Sequence, residues 1–367
     1  MVWQISVDEC VFMERDSIWN QSFEQLAQWC SNEGLPAYRA RQIFGWLYAK
    51  NATQWEQMTD LPQSLRQRLD ECYTVDLPQI IHHRTDSEDG TEKLLIQLGD
   101  GKAVETVVIL RDAKEEEGFT VCVSTQVGCT FACRFCATGR MGLVRDLEAG
   151  EIVAQVLLVQ RLGKAVKRVV LMGMGEPLHN YENVLAAIRL LCGEESLNWS
   201  PRRITCSTVG LVPEIYRLAQ DAPGVKLAVS LHGTTDQKRA EIVPIAEIYT
   251  LDRLFEALRY YHERDKRRIS FEYLLIRGVN DGIRDAHRLV DLLRGLVCHV
   301  NLIPNNRIPK SEFTHPSRQV ITRFAQILKD GGVAVTIRAS KGRGISGACG
   351  QLATESRGRE SATTTDV

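Results

Sequence analysis

No apolar run in this chain of 367 residues approaches the roughly 20 consecutive residues that cross a bilayer. Its opening stretch, MVWQISVDECVFMERD, carries acids where a secretory leader has a basic start and an unbroken apolar segment. A cytoplasmic protein with no membrane partner is therefore expected. A strong net charge is also missing, since 45 Lys and Arg face 46 Asp and Glu, which argues against indiscriminate binding of polyanions. Cysteine is present in an odd number, 11, which is few for a secreted disulfide scaffold of this length. Three of them crowd between positions 129 and 136, a pattern that suits reduced thiols and a metal site.

With 44% apolar residues the chain can bury a large core, and one α/β domain with an accessory piece is expected. From Ser22 to about Cys72 apolar residues recur at helical spacing, as in FEQLAQWC and ARQIFGWLYAK, with breaks at Gly34-Leu35-Pro36 and Leu61-Pro62. This predicts a small helical accessory domain over residues 1–90. LLIQL, the turn Gly99-Asp100-Gly101 and AVETVVIL predict a β-hairpin linker over 91–117. After Gly118, short β-rich runs alternate with longer amphipathic stretches, the signature of parallel βα units. The predicted strands are TVCVST, RVVLMG, RITCST, KLAVSL, SFEYLLI and HVNLIP, with VAVTIRA as a last one. They point to a partial (β/α)6 barrel over 118–350, with its chemistry at the carboxyl ends of the strands. Residues 351–367 are expected to form a disordered tail.

Charge is uneven along the chain. The first 100 residues carry 8 Lys and Arg against 16 Asp and Glu, leaving 37 basic and 30 acidic residues for the remainder. A mildly cationic second part keeps a protein soluble or meets a polyanion, and charge alone does not choose between the two.

CTFACRFC sets Cys129, Cys133 and Cys136 at Cys-x3-Cys-x2-Cys in the loop after the first barrel strand. A four-iron cluster held by three cysteines leaves one iron open. That iron can chelate the amino and carboxylate groups of S-adenosylmethionine (SAM) and pass an electron to its sulfonium. Phe135 can shield the cluster. Structural zinc is the competing reading, but it wants four closed ligands and a paired Cys-x2-Cys or His, so only a remote His179 or His232 could complete it. Each barrel strand ends in small or polar residues suited to a polar cofactor: Gly175 and Glu176, Ser207, Ser230, Leu231 and His232, and Asn306. Most isolated cysteines are small buried apolar residues, which is the expectation for Cys10, Cys30, Cys72, Cys192, Cys206 and Cys298. Cys349 differs, because it sits in the glycine-rich stretch GRGISGACGQL with Lys341 and Arg343 nearby to favour a thiolate.

CTFACRFC followed by GMGEP resembles the radical SAM superfamily. LPAYRARQIFGWLYAK, MTDLPQSLR, VETVVI, CVSTQVGC, SLHG, VNLIPNN and ACGQLA resemble one family within it over nearly the whole chain, the RlmN-type RNA methyltransferases. The resemblance implies a [4Fe-4S] cluster on Cys129, Cys133 and Cys136, and SAM bound through Gly175, Glu176, Ser207, Ser230, Leu231, His232 and Asn306, with two SAM consumed per turnover. It implies that Cys349 carries a methyl group from one SAM, that a radical from the second activates it for addition to adenine C2, and that Cys122 releases the adduct by forming a transient disulfide with Cys349 while Glu105 accepts the C2 proton. Read from the strand pattern alone, Glu105 is an exposed strand residue. The implied partners are 23S rRNA at the peptidyl-transferase centre, tRNA at the adenosine 3′ of the anticodon, and an electron donor such as flavodoxin or ferredoxin, with the enzyme a monomer. Arg202, Arg203, Lys341 and Arg343 are candidates for phosphate contact. Relatives commonly have an aromatic residue where Asn305 stands and SLHA where this chain has SLHG, which leaves substrate preference open. The alternatives are a Cfr-like C8 methyltransferase, a radical SAM enzyme acting on a protein or small molecule, and a zinc-bearing RNA-binding module.

Overall fold

A computed structural model describes residues 15–111, 118–306, 312–338 and 341–354. Cys10, the end of the expected hairpin segment and residues 355–367 of the expected tail lie outside the described residues. The chain forms two compact units, Met1–Asp76 and Leu77–Val367.

The first unit is helical. Helix α1 (Phe23–Asn32) starts at a capping box: Ser22 Oγ accepts from Gln25 N–H and the Gln25 side chain accepts from Ser22 N–H. Helices α2 (Tyr38–Phe44) and α3 (Gln63–Cys72) follow, the latter opening directly after Pro62, whose fixed φ suits a helix start. Leu26, Cys30, Ile43, Phe44, Leu65 and Leu69 form the buried stripes that hold them together.

In the second unit ten strands form one sheet. Its antiparallel portion comprises β1 (Gln79–Thr85), β2 (Glu92–Gln97) and β3 (Ala103–Leu110). β3 pairs antiparallel with β4 (Phe119–Cys122). From β4 the sheet runs parallel through β5 (Val166–Leu171), β6 (Ile204–Thr208), β7 (Lys226–Ser230), β8 (Ile269–Leu275), β9 (Cys298–Pro304) and β10 (Ala334–Ile337). This is the expected α/β architecture of a partial radical SAM barrel.

Two expectations are corrected. The helical unit ends at residue 76 rather than 90, because QIIHHRT pairs edge to edge with β2 beyond the tight Asp86–Gly90 turn, where Asp86 N–H donates to Thr91 O at 2.7 Å. The β2–β3 hairpin is an extension of the main sheet, since the register of β3 continues onto β4.

Fully covered parallel strands are usually apolar on both faces. Here one face is, and the other mixes apolar Val170, Ala228, Leu274 and Ile303 with polar residues. Val169, Leu171, Ile204, Cys206, Leu227, Val229, Phe271, Val300 and Leu302 are buried, while their neighbours Thr205, Ser207, Ser230, Ser270 and Asn301 are half-buried and polar. Such alternation belongs to strands whose second face lines a polar cavity, and because the strands are parallel their carboxyl ends deliver side chains to one edge.

Candidate active site

The loop after β4 begins with a ribbon in which Gln126–Gly128 pairs antiparallel with Leu143–Asp146. Gly128 has φ +81°, and a Cβ there would lie 1.8 Å from Gly142 O, so the ribbon closes only around glycine. Cys129 N–H donates to Gly142 O at 3.0 Å and Cys136 N–H to Cys133 O at 3.0 Å, which folds the three cysteines into one tight loop. Burial pushes the Cys129 thiol up to about 12 and that of Cys133 well above its ordinary value, and Cys136 is raised as well. Cys129 also feels Cys136, and Cys133 feels both of the others, so three thiolates can coexist here only against concentrated positive charge.

Among the described residues no three His, Cys, Asp or Glu side chains stand in an arrangement that would hold a single metal ion. A mononuclear zinc site requires its ligands to converge on one point. A cubane spreads its cysteines over different irons and does not. Two buried side chains beside the loop also carry polar atoms without partners. Arg239 is fully buried, its Nε and Nη1 are unsatisfied, and its charge couples most strongly to Cys133; burial lowers its guanidinium to about 10. Asn306 Oδ1 is likewise buried without a partner. Orphan polar atoms of this kind fit a site built for a charged, hydrogen-bonding ligand, so the donor set and its surroundings suit a cluster with SAM.

The strand-end residues divide into half-buried polar ones and buried ones that build the wall. Ser207 and Ser230 are half-buried on the polar face. Glu176 is buried, and desolvation lifts its carboxyl to about 7 although it accepts from Val209 N–H at 2.9 Å and Leu178 N–H at 3.1 Å. Gly175, at φ +98°, lies against Gln126, whose Oε1 accepts from Glu176 N–H at 2.9 Å. Gln126 Nε2 donates to Asp146 Oδ1 at 2.6 Å. The sequence reading missed Gln126, for which its place three residues before Cys129 was the one available sign. Leu231 is fully buried and its N–H donates to Glu272 O. His232 has φ +54°, and its Nδ1 accepts from Leu274 N–H at 3.1 Å, so the neutral ring carries its proton on Nε2. Burial depresses it to about 3, and its ring meets Phe135 edge to face at 4.6 Å.

Cys122 is buried at the end of β4, and Cys349 is exposed. They are close enough for the Cys349 charge to raise Cys122, whose thiol is pushed to about 12 mainly by burial. Cys349 is docked on the cysteine loop: Asn306 Nδ2 donates to its carbonyl at 3.1 Å, Ala137 N–H donates to Gly350 O at 2.8 Å, and Thr138 Oγ1 donates to Leu352 O at 2.6 Å. One expected cation is corrected. Lys341 Nζ donates to Leu110 O, whereas Arg338 is the cation raised chiefly by Cys349 and, less, by Glu272 and Cys122. Glu105 is buried rather than exposed: its Oε1 lies 2.8 Å from Lys93 Nζ, and its Oε2 accepts from Ala353 N–H at 2.9 Å. Local pattern hid this because the cover comes from residues some 250 positions away.

Other expectations also change: Leu352, assigned to a disordered tail, is buried. Arg203 donates to Lys167 O and Val166 O and stacks on Trp199, at the amino ends of the strands, which removes it from the candidates for phosphate contact. Cys30 and Cys206 are buried as expected, but Cys72, Cys192 and Cys298 are half-exposed. No described helix is long and apolar enough to cross a membrane.

A three-cysteine loop at the carboxyl end of the first strand of a parallel α/β barrel defines the radical SAM class of enzyme, whose members use a [4Fe-4S] cluster and SAM. The radical SAM superfamily model matches residues 123–290, and that of the ribosomal RNA large subunit methyltransferase N-terminal domain matches residues 17–75. A probable dual-specificity RNA methyltransferase RlmN of Clostridium perfringens is 44% identical over 90% of this chain and 94% of its own. Its counterpart in Geobacillus thermodenitrificans is 41% identical over 97% of each. A crystal structure of a radical SAM methyltransferase from Sphaerobacter thermophilus superposes with a TM-score of 0.86 at 44% identity, covering 92% of this chain and 99% of that one. The chain belongs to the RlmN family of radical SAM RNA methyltransferases.

Proposed function

We propose that the enzyme methylates C2 of an adenosine in 23S rRNA at the peptidyl-transferase centre and C2 of the adenosine 3′ of the anticodon in tRNA. The observation that carries this reading is the pairing of two thiols beside the cysteine loop, one exposed on a docked segment and one buried at a strand end. Methylating an aromatic carbon that is neither acidic nor nucleophilic needs a carbon carrier and a way to release it, and two thiols supply both.

Cys129, Cys133 and Cys136 hold the cluster; Glu176 takes the ammonium of SAM, and Ser207, Ser230, Asn306 and the backbone of Leu231 and His232 take its carboxylate and ribose, with Gly175 setting the turn. When bound, the cluster and two SAM would supply a methyl group to Cys349 and the one-electron chemistry that activates it, one electron being lent and returned. Cys349 carries the methylene carbon to adenine C2, which requires the base to leave its stack and enter the cavity mouth. The Cys122 thiolate then attacks Cys349 Sγ. A sulfur–sulfur bond forms as the carbon–sulfur bond breaks, its electron pair stays with the carbon, and a proton completes the methyl group. Glu105 accepts the C2 proton. Flavodoxin or ferredoxin serves as electron donor, and the enzyme works as a monomer in the cytoplasm.

The test is nucleoside mass spectrometry after reaction of the anaerobically reconstituted enzyme with rRNA fragments and tRNA. Formation of 2-methyladenosine in both is expected. Formation of 8-methyladenosine, or no methylated adenosine, refutes the assignment.

A further inference from the structure

The Glu105 carboxylate is held from two directions by parts of the chain that local sequence does not connect. On β2, Lys93 is the cross-strand partner of Val107 and Leu95 that of Glu105, so Lys93 and Glu105 are diagonal neighbours on one face of the sheet, within reach of a long side chain. Their ion pair closes at 2.8 Å, with the Lys93 side chain 13% exposed and the Glu105 side chain 6% exposed. The second oxygen of Glu105 accepts from Ala353 N–H, four residues beyond Cys349. Lys93 Nζ also lies 3.4 Å from Ser346 O, on the same segment. The backbone of Glu105 is fixed as well: its carbonyl accepts from Ser124 Oγ at 2.6 Å and its N–H points at Met174 Sδ at 3.4 Å. Register puts the other titratable and charged groups of this face in order: Arg84 and His82 on β1, opposite Lys93 and Leu95, and Cys122 on β4, opposite Val107. Arg343 and Cys349 come from the covering segment, and Arg338 is coupled to Cys122 and Cys349.

We propose that Lys93 is a positioning residue for the reaction, holding Glu105 ionised and aimed under the Cys349 segment so that it is ready to take a proton. This rests on the assignment of Glu105 as proton acceptor. A carboxylate this far from water reverts to the neutral acid unless a cation stands beside it, and a neutral acid cannot accept a proton. The same ammonium reaches the segment that carries Cys349, so one side chain sets the charge of the base and the register of the carbon carrier against it.

The experiment follows the carboxyl stretch of Glu105 by infrared difference titration of the cluster-free protein, the band being identified by its loss in Glu105→Gln. In Lys93→Met, protonation is expected at a pH at least about one unit higher than in the parent, a tenfold change, with Lys93→Arg returning it to the parent position. The acid limb of the RNA methylation rate should move by the same amount. Should Lys93→Met fold poorly, Lys93→Gln removes the same charge and carries the same expectation. An unchanged titration in the neutral variants, with or without a loss of thermal stability, overturns the proposal. A shifted carboxyl with an unmoved acid limb upholds the Lys93 pairing and overturns the role of Glu105 as base.

Discussion

Replacing Gly175 by alanine isolates what this glycine does. Its φ of +98° costs an L-residue about 1–2 kcal/mol. A Cβ would also stand 2.6 Å from Gln126 Cβ and 2.7 Å from both Gln126 Cγ and the Gln126 backbone N. Gln126 has little room to retreat, because its backbone is paired with Asp146 and its side chain bonds Glu176 N–H and the Asp146 carboxylate. Forcing it aside adds about 1–3 kcal/mol of overpacking, for a total of about 2–5 kcal/mol. Gly278 is the control, since it has φ +72° with no atom within 4 Å of its Cβ position and should show only the conformational cost. At about 2–4 °C per kcal/mol, Gly175→Ala should melt about 2–12 °C below Gly278→Ala. Because Gln126 fixes the Glu176 backbone, SAM affinity measured calorimetrically on the reconstituted enzyme should fall about tenfold in Gly175→Ala, the equivalent of about 1.4 kcal/mol, and stay at the parent value in Gly278→Ala. Equal melting temperatures with parental SAM affinity in both variants would show that the close approach to Gln126 is immaterial.

Further outcomes follow from the same geometry. His232 is buried neutral with its titration depressed to about 3. The unfolded chain protonates near 6.5 while the native one does not, so stability is lost as pH falls from 6.5 toward 3, by about 1.4 kcal/mol per unit from this group. His232→Asn keeps an acceptor for Leu274 N–H and tolerates positive φ; urea melts at pH 5 and 7 should show a shallower acid loss, and an unchanged slope contradicts the assignment. Cys122→Ala, under the proposed route, leaves RNA covalently joined to Cys349, visible as a nuclease-sensitive gel shift; normal turnover without a shift argues against a resolving thiol. Thr138→Val removes the hydroxyl that holds Leu352 O, a bond of about 1 kcal/mol, and should speed alkylation of Cys349 several-fold if that bond docks the segment.

The cysteine spacing and the alternation of short β-rich runs with amphipathic helices were legible in the sequence, because each depends on residues close in the chain. Turn chemistry and periodicity act over a few positions, and a three-ligand loop announces itself in eight residues. Motif resemblance supplied the cysteine pair and Glu105 where local pattern offered only a buried thiol, a loop thiol and an exposed carboxylate. Strand β1 escaped because QIIHHRT becomes a strand only through its pairing with β2.

The sequence by itself determined which chemistry the chain can hold: three thiols at cluster spacing, two more that stand apart, and a barrel whose strands end in small polar residues. The tertiary structure alone decided who their neighbours are. It put Arg338 rather than Lys341 beside Cys349, made His232 a buried neutral wall, gave Gly175 to Gln126, and placed Lys93 and Ala353 on Glu105. Electric fields, desolvation and hydrogen bonds depend on distance through space, and folding brings together atoms that the chain keeps hundreds of residues apart.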